Sequence, residues 1–452
     1  MSRSLRQLTM RLFNVREREA PAVLAGLAMF FLLFCGYAML RPVRETMGIA
    51  GGVDNLQWLF TGTFVATLVA LPLFGWVAGR ARRRHILPWT FGFFALNLVA
   101  FALGFQADPQ NAWTARAFYI WISVFNMLAI SVAWSVLADL MVLGQAKRLF
   151  AMMAGGLSFG GLVGPILGAL LVGPIGHAGL MLAAAALLVG SIAAALALQR
   201  WRDALPDVDA ERSAQSRARP IGGNPFAGAT TVLRSPFLLG IAAFVLLLAS
   251  VTTFLYFEQA KLVEATFPDP TRQTQVFGII DAVVQALALI TQFFLTGRIA
   301  QRLGVGVLLV AVPVVVAAGF VWLAFAPLFA VFVVVMVARR AGEYALVRPG
   351  REMLYTVVPL EAKYKGKNFI DTVVYRGADA VSGWAKALVD MVASQPALAA
   401  LIGAALALVW GGVGAGLARA QARREQAMER DTARTHSVEG TLARSEAPVR
   451  DM

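Results

Sequence analysis

Arginine side chains interrupt several long apolar stretches of this chain, and they are the residues best suited to bind a ligand. A charged group at the centre of a lipid-spanning helix costs roughly 2.5–3.5 kcal/mol on insertion scales, so such groups usually face a cavity or a partner. Guanidinium groups stay charged at any working pH and bind carboxylate or phosphate through two parallel hydrogen bonds. The sequence therefore predicts a small anionic ligand held by Arg41, Arg44, Arg340, Arg348, Arg351 and Arg376.

Acidic residues and one lysine lie among these arginines. On a helix, Arg376 and Asp379 are three residues apart, so they share a face and can form an ion pair. We expect the acids to hold the arginines, to gate the cavity or to exchange protons, and protons are a candidate coupling ion. The residues assigned to coupling or gating are Glu45, Glu343, Asp371, Asp379, Asp281 and Lys386.

Other chemistries find little support. The segment Gly156-Leu-Ser158-Phe-Gly160 has the spacing of a nucleophile elbow, but it falls within an apolar stretch with no preceding strand and no suitable histidine. The sequence has no Walker phosphate loop and no metal-ligand cluster. We therefore expect no metal, no cofactor and no enzymatic activity.

Membrane helices must position these charges, because the composition suits lipid rather than water. Of the 452 residues, 58% are hydrophobic and 15% are charged, and the mean hydropathy is +0.68. Stretches of eighteen or more apolar residues recur, and each is long enough to span a membrane. The predicted class is an all-α polytopic membrane protein with about twelve spans, at 21–42, 56–78, 86–105, 116–141, 149–173, 178–198, 236–257, 274–296, 305–324, 327–348, 367–391 and 396–418.

The net charge of +14 is best explained by membrane topology. Lys and Arg concentrate before the first span, after the second and fourth, in the long polar connector and in the C-terminal tail, while the alternate loops hold few. Because positive loops stay in the cytoplasm, both termini are predicted to be cytoplasmic and the protein to lie in a bacterial inner membrane. Nucleic acid is not an expected partner.

The connector divides the chain into two halves of six spans. The predicted parts are a cytoplasmic N-terminal segment (1–20), an N-terminal half (21–198), a cytoplasmic linker (199–235), a C-terminal half (236–418) and a basic cytoplasmic tail (419–452). This plan resembles the major facilitator superfamily. The loop Gly75-Trp-Val-Ala-Gly79-Arg80 and the fifth-span segment Gly160-Gly-Leu-Val-Gly164-Pro-Ile-Leu-Gly168 are similar to motifs of that superfamily, the latter often associated with antiporters.

Two further segments resemble the nucleotide (ATP/ADP) translocase family. They are Arg41-Pro-Val-Arg44-Glu45 at the end of the first span, and 344–355 (Tyr-Ala-Leu-Val-Arg-Pro-Gly-Arg-Glu-Met-Leu-Tyr) with the Lys-Gly-Lys and Ile-Asp that follow. The resemblance implies that Arg44 and Arg351 contact substrate phosphates and that the protein is a monomer. Departures occur at Ser123 and Asp379, where the family has an acid and a lysine.

We therefore expect a divergent member of this family. It would be a secondary active transporter that moves a small organic anion by alternating access, with a nucleotide such as ATP or ADP, or a phosphorylated metabolite, as candidate substrates. Two alternatives stay open: a proton-coupled exporter of drugs or metabolites and, from another class, a non-transporting membrane receptor or scaffold.

Overall fold

The computed structural model describes residues 16, 19–80, 83–141, 143–204, 228–392 and 396–445. Helices and short turns make up these residues, and no β-strand is found among them. The helices are α1 (Ala20–Ala50), α2 (Leu56–Arg80), α3 (Arg83–Ala107), α4 (Ala112–Leu140), α5 (Leu143–Asp203), α6 (Ala229–Arg234), α7 (Pro236–Thr266), α8 (Pro270–Thr291), α9 (Gly297–Phe325), α10 (Phe329–Gly342), α11 (Arg348–Leu354), α12 (Leu360–Phe369), α13 (Tyr375–Val392) and α14 (Pro396–Ser445).

The all-α prediction is confirmed, and eight of the described helical stretches are long and apolar enough to cross a membrane. Two of them, Arg148–Asp203 and Pro270–Phe325, have 56 residues each. A bilayer core needs only about 20 residues, so each of these stretches has the length of two crossings. A glycine with positive φ breaks each one, Gly176 at 66° and Gly304 at 78°. The count of twelve spans stays a prediction.

Helix α1 is longer than the predicted first span. It continues through Pro42 to Ala50, so Arg41, Arg44 and Glu45 lie inside the helix rather than at its end. Proline within a membrane helix is tolerated where neighbouring helices and side chains satisfy the backbone. The last two turns of α1 therefore carry charged side chains into the bundle.

A row of glycines packs α5 against α1. A Cβ atom added at Gly160, Gly164 or Gly168 would lie 2.6–2.9 Å from a carbonyl oxygen of α1, and one at Gly156 would lie closer still. The carbonyls that face Gly156, Gly160, Gly164 and Gly168 belong, in that order, to Leu27, Phe31, Cys35 and Met39. Both rows advance by four residues, so the two backbones touch at four points over a little more than three turns. We call this contact the glycine seam, and close packing against α1 explains why its four positions are glycine.

Apolar side chains form one large cluster within 22–198 and another within 232–417. A smaller third cluster joins them where α1 ends and α8 begins, and includes Ile49, Tyr119, Phe257 and Phe277. The predicted division at 199–235 stays a prediction, because most of that connector, like the predicted segment 1–20 and the end of the tail, lies outside the described residues.

Polar contacts also cross between the first and second parts of the chain at this end. Thr46 shares a 2.7 Å hydrogen bond with Thr274, which in turn lies 2.9 Å from Nε2 of His177. The indole N–H of Trp384 donates to Thr61 over 3.0 Å. The two parts are thus joined by side chains of α1, α2, α8 and α13.

Three short π-helical segments interrupt the later helices: Gln292–Thr296, Glu343–Val347 and Ile370–Val374. They connect α8 to α9, α10 to α11 and α12 to α13 without a loop. No such segment occurs in the described residues before 205. Since π turns are frequent at functional sites, they direct attention to the charged residues that two of them carry.

Candidate substrate-binding site

A buried carboxylate on α8 holds two arginines from different helices. Asp281 Oδ1 lies 2.6 Å from Nη2 of Arg340 on α10, and Oδ2 lies 3.5 Å from Nε of Arg41 on α1. The side chains of Asp281 and Arg340 are only 5% and 8% exposed. The first pair links helices of the second part of the chain, whereas the second pair links the two parts.

A second buried carboxylate, Glu343, also holds two arginines. Its Oε2 lies 3.0 Å from Arg339 Nη1, and its Oε1 accepts from Arg348 Nη2 over 3.2 Å. Arg339 donates in addition to Thr252 on α7 over 2.9 Å. The neighbouring residue, Tyr344, accepts a 3.2 Å hydrogen bond from Arg41 through its hydroxyl, and its ring lies beneath the Arg348 guanidinium at 4.4 Å.

These two carboxylates and four arginines form one charged group, which we call the arginine cluster: Arg41, Arg339, Arg340, Arg348, Asp281 and Glu343. Even with both carboxylates ionised, four guanidiniums against two carboxylates leave a formal charge of +2. Guanidiniums cannot lose their protons in proteins, so this excess is permanent. The side chains of Arg339 and Arg340 are buried, whereas those of Arg41 and Arg348 are 27% and 54% exposed. An anion that binds the exposed side of the cluster lowers its net positive charge.

Arg44 lies three residues beyond Arg41 and has a different environment. Its Nη2 donates to the Tyr119 hydroxyl over 2.9 Å, and its Nη1 lies 3.4 Å from Glu45. The Phe60 ring contacts the rings of Tyr119 and Tyr256, at centroid distances of 6.5 and 5.3 Å. Arg44 thus sits beside an aromatic wall built by α2, α4 and α7.

A small cavity lies next to this wall. Its lining combines residues from both parts of the chain: Arg44, Phe60, Thr63, Tyr119, Arg376 and Asp379. Arg376 and Asp379 pair at 3.6 Å, as their spacing predicts. The cavity therefore presents two guanidiniums, two carboxylate oxygens and aromatic faces to whatever occupies it.

Three predicted site residues lie away from the arginine cluster. Arg351 pairs with Asp371 at 3.2 Å. Arg351 lies eleven residues beyond Arg340, which corresponds to about 16 Å of rise along a helix. Lys386 is 1% exposed and pairs with Glu258 at 2.7 Å and with Asp390. It lies ten residues beyond Arg376, about 15 Å in helical rise. The structure places these residues in two separate ion-pair groups.

The sequence profile of the Major Facilitator Superfamily matches residues 24–362. The chain belongs to the major facilitator superfamily. The predicted resemblance to this superfamily is confirmed, and the protein is a multi-pass membrane transporter rather than an enzyme. As a facilitator it acts on a small-molecule substrate within a lipid bilayer.

Similar proteins include several transporters. ADP,ATP carrier protein 1 of Chlamydia muridarum is 25% identical over 429 residues, which cover 81% of this chain and 81% of that protein. A bacterial homologue of the iron transporter ferroportin, solved in its inward-facing state, has a TM-score of 0.63 at 14% identity and covers 89% of this chain and 98% of its own. A mutant of the nucleoside transporter NupG has a TM-score of 0.58 at 13% identity and covers 89% and 99%. The two solved structures show the facilitator fold.

Several residues of the site are absent from the set that the sequence predicts. Arg339 adjoins Arg340 within the same apolar stretch, so its type and position are a usable signal. Tyr119, Tyr344 and Thr252 carry no charge, and only the packing of the helices shows that they contact arginines. Within the described part of the chain, no group of three or more His, Cys, Asp or Glu side chains is placed to hold a metal ion.

Proposed function

We propose that this facilitator carries a small organic anion across the bacterial cytoplasmic membrane by alternating access. A nucleotide or a phosphorylated metabolite is the leading candidate substrate. The observation that supports the proposal most strongly is the formal charge of +2 on the arginine cluster, whose two carboxylates are buried where α1, α8 and α10 meet. A site of this charge attracts anions and repels cations.

The chemistry of the donors supports the same substrate class. Guanidinium groups present paired N–H donors that match the oxygens of carboxylates and phosphates. Six arginines are within or beside the site when Arg44 and Arg376 are counted with the cluster. A substrate with more than one anionic group could engage the cluster and the neighbouring cavity together.

The division of the site between the two parts of the chain supports alternating access. Arg41 and Arg44 belong to α1, whereas Asp281, Arg340 and Arg376 belong to the later helices. If the two halves rock about a central site, the Arg41–Asp281 pair must lengthen or break. A bound anion could then take over the interaction with Arg41 that the carboxylate provides.

The similarity to the ADP,ATP carrier of Chlamydia muridarum supports a nucleotide as one candidate. The same proposal includes the predicted topology of twelve spans in two halves, with both termini in the cytoplasm, and a monomeric protein. The exporter alternative draws on the fifth-span glycine motif, which the glycine seam now accounts for by packing.

The test is uptake of radiolabelled ADP, inorganic phosphate and a dicarboxylate into proteoliposomes that contain the purified protein. We expect at least one anion to be transported, and we expect Arg376→Ala to abolish that flux while the protein stays folded. Arg272→Gln is the control, because Arg272 is exposed and its guanidinium donates to Gln275 on the same helix. Normal flux in the Arg376→Ala protein would contradict the assignment of the site.

A further inference from the structure

Pro349 removes a backbone donor next to Arg348, the cluster residue that begins α11. It lies near the start of α11, two residues after the π segment Glu343–Val347. A proline has no N–H, so the carbonyl four residues earlier, that of Ala345, loses its α-helical partner. In a π turn the partner would lie five residues earlier, at Tyr344. The carbonyls of Tyr344 and Ala345 both lack the backbone N–H that a residue other than proline at position 349 could donate to one of them.

Side chains of the neighbouring helix supply donors to both carbonyls. The Thr296 hydroxyl donates to the carbonyl oxygen of Ala345 over 2.7 Å, and the Gln292 amide donates to that of Tyr344 over 2.9 Å. Both donors lie at the ends of the first π segment, Gln292–Thr296. A backbone carbonyl that is kept from water and has no donor is costly, so these side-chain hydrogen bonds should stabilise the turn.

The residues whose carbonyls are held in this way adjoin the arginine cluster. Glu343 begins the π turn and binds Arg339 and Arg348. Tyr344 follows it and contacts Arg41 and Arg348. A change in the backbone at Tyr344 and Ala345 would therefore move the carboxylate and the phenol that orient three of the four arginines.

We infer that Thr296 and Gln292 are positioning residues for the anion site. They replace the hydrogen bonds that Pro349 removes, and they thereby fix the π turn that presents Glu343 and Tyr344 to the arginines. This role rests on the proposed function, because the site that they position is the proposed anion site. Neither side chain belongs to the cluster or lines the cavity beside it.

A double-mutant cycle tests the hydrogen-bond replacement. Thr296→Val should lower the thermal midpoint of the detergent-purified protein, because Ala345 is left without a donor. In a Pro349→Ala protein, which has an N–H at position 349, the same change should have a clearly smaller effect. Thr266→Val is the control, since that hydroxyl bonds only to a carbonyl of its own helix. Equal losses with and without the proline would overturn the inference.

A second measurement reports the geometry of the site without a substrate. Cys35 is a buried free thiol, so a Cys35→Ala background makes an Arg348→Cys protein a single-cysteine reporter among the described residues. We expect Thr296→Val or Gln292→Leu to change its rate of reaction with a negatively charged methanethiosulfonate by roughly threefold or more, and Thr296→Ser to restore the original rate. An unchanged rate in both variants would overturn the positioning role.

These two measurements use no transported molecule. They decide the inference even if no tested anion is carried, so its failure and the failure of the proposed function are distinguishable. Where the Pro349→Ala protein does not fold, the comparison of Thr296→Val with Thr296→Ser in the single-cysteine background gives the answer.

Discussion

Helix α1 makes two close contacts of opposite character. Its earlier turns lie along the glycine seam, where four backbone carbonyls touch α5 and a single methyl group would not fit. Its later turns carry Arg41 and Arg44 into contacts with α4, α8 and the π turn after α10. The seam joins helices within the first part of the chain, whereas Arg41 joins the two parts.

The difference shows how rigid and changeable contacts can share one helix. Backbone packing at the seam has no alternative partner, so α1 and α5 are expected to move as one body. The ion pairs of the arginine cluster can exchange partners, because each carboxylate is shared and the arginines are in excess. The π segments and Pro349 lie on the changeable side, in the later helices.

The largest expected effect is on the changeable side. Asp281→Asn removes the carboxylate that Arg41 and Arg340 share and leaves two guanidiniums without their partner. Breaking a buried pair in this way costs about 3–5 kcal/mol. We expect a lower thermal midpoint in detergent, and a larger stabilisation by multivalent anions than in the unchanged protein.

Glu361→Gln is the matched control for that change, because Glu361 is exposed and pairs only with Lys365 among the described contacts. Surface pairs of this kind contribute little to stability because water and salt screen them. If the Asp281→Asn protein is as stable as the control and shows no added response to anions, the claim that the cluster has more arginines than carboxylates can neutralise is wrong.

An intermediate effect is expected at the glycine seam. Gly156→Ala places a methyl group against the Leu27 carbonyl, and overpacking of this kind costs roughly 1–3 kcal/mol. Gly155→Ala is a control one residue away, because a Cβ there meets nothing within 4 Å. Thermal midpoints of the two proteins should therefore differ. Equal midpoints would mean that α1 and α5 separate easily and are not one rigid body.

The smallest effect concerns an ion pair at the N-terminal end of α1. Glu19 forms a two-pronged pair with Arg148, at 2.8 and 3.3 Å. Burial raises the pKa of Glu19, but the hydrogen bond and charge of Arg148 and the backbone N–H of Arg16 outweigh it, so the pKa lies below its usual 4.5. The pair should therefore stabilise the protein fully above pH 4.5, and that contribution should be lost as pH falls through the lowered pKa.

Glu19→Gln should remove this pH dependence and cost about 1 kcal/mol or less near neutral pH. Thermal midpoints measured from about pH 7 down to about pH 3.5 would show the two proteins converging in acid. A difference that persists unchanged at the lowest pH would contradict the ionic origin of the contact and suggest a packing role instead.

How much the sequence predicts differs between the same two contacts. The spacing of Gly160, Gly164 and Gly168 predicts a close helix contact, because four-residue spacing places small residues on one face. The partner helix is not predictable in this way, since nothing in α1 marks its carbonyls as exposed. The positions of Arg41, Arg340 and Asp281 in apolar stretches predict a shared cavity, and the structure places them together.

The grouping of the other charges is not readable from one sequence. Arg351, Asp371 and Lys386 lie within or close to predicted spans, as the cluster residues do, yet they pair elsewhere. Their partners depend on the rotation and depth of each helix, which follow from packing. Pro349 indicates that carbonyls lose a donor, but Thr296 and Gln292 come from another helix and are found only in three dimensions.

The most direct test of the central claim is a thermal-shift titration of the purified protein with ADP, inorganic phosphate, phosphorylated sugars and dicarboxylates. A ligand that binds only the folded state stabilises it by about 2.7 kcal/mol at a hundredfold excess over Kd. The account predicts that at least one anion raises the midpoint and that Arg340→Gln abolishes the shift. If no anion acts while a cationic ligand stabilises the protein and depends on Asp281, the anion-carrier proposal is wrong.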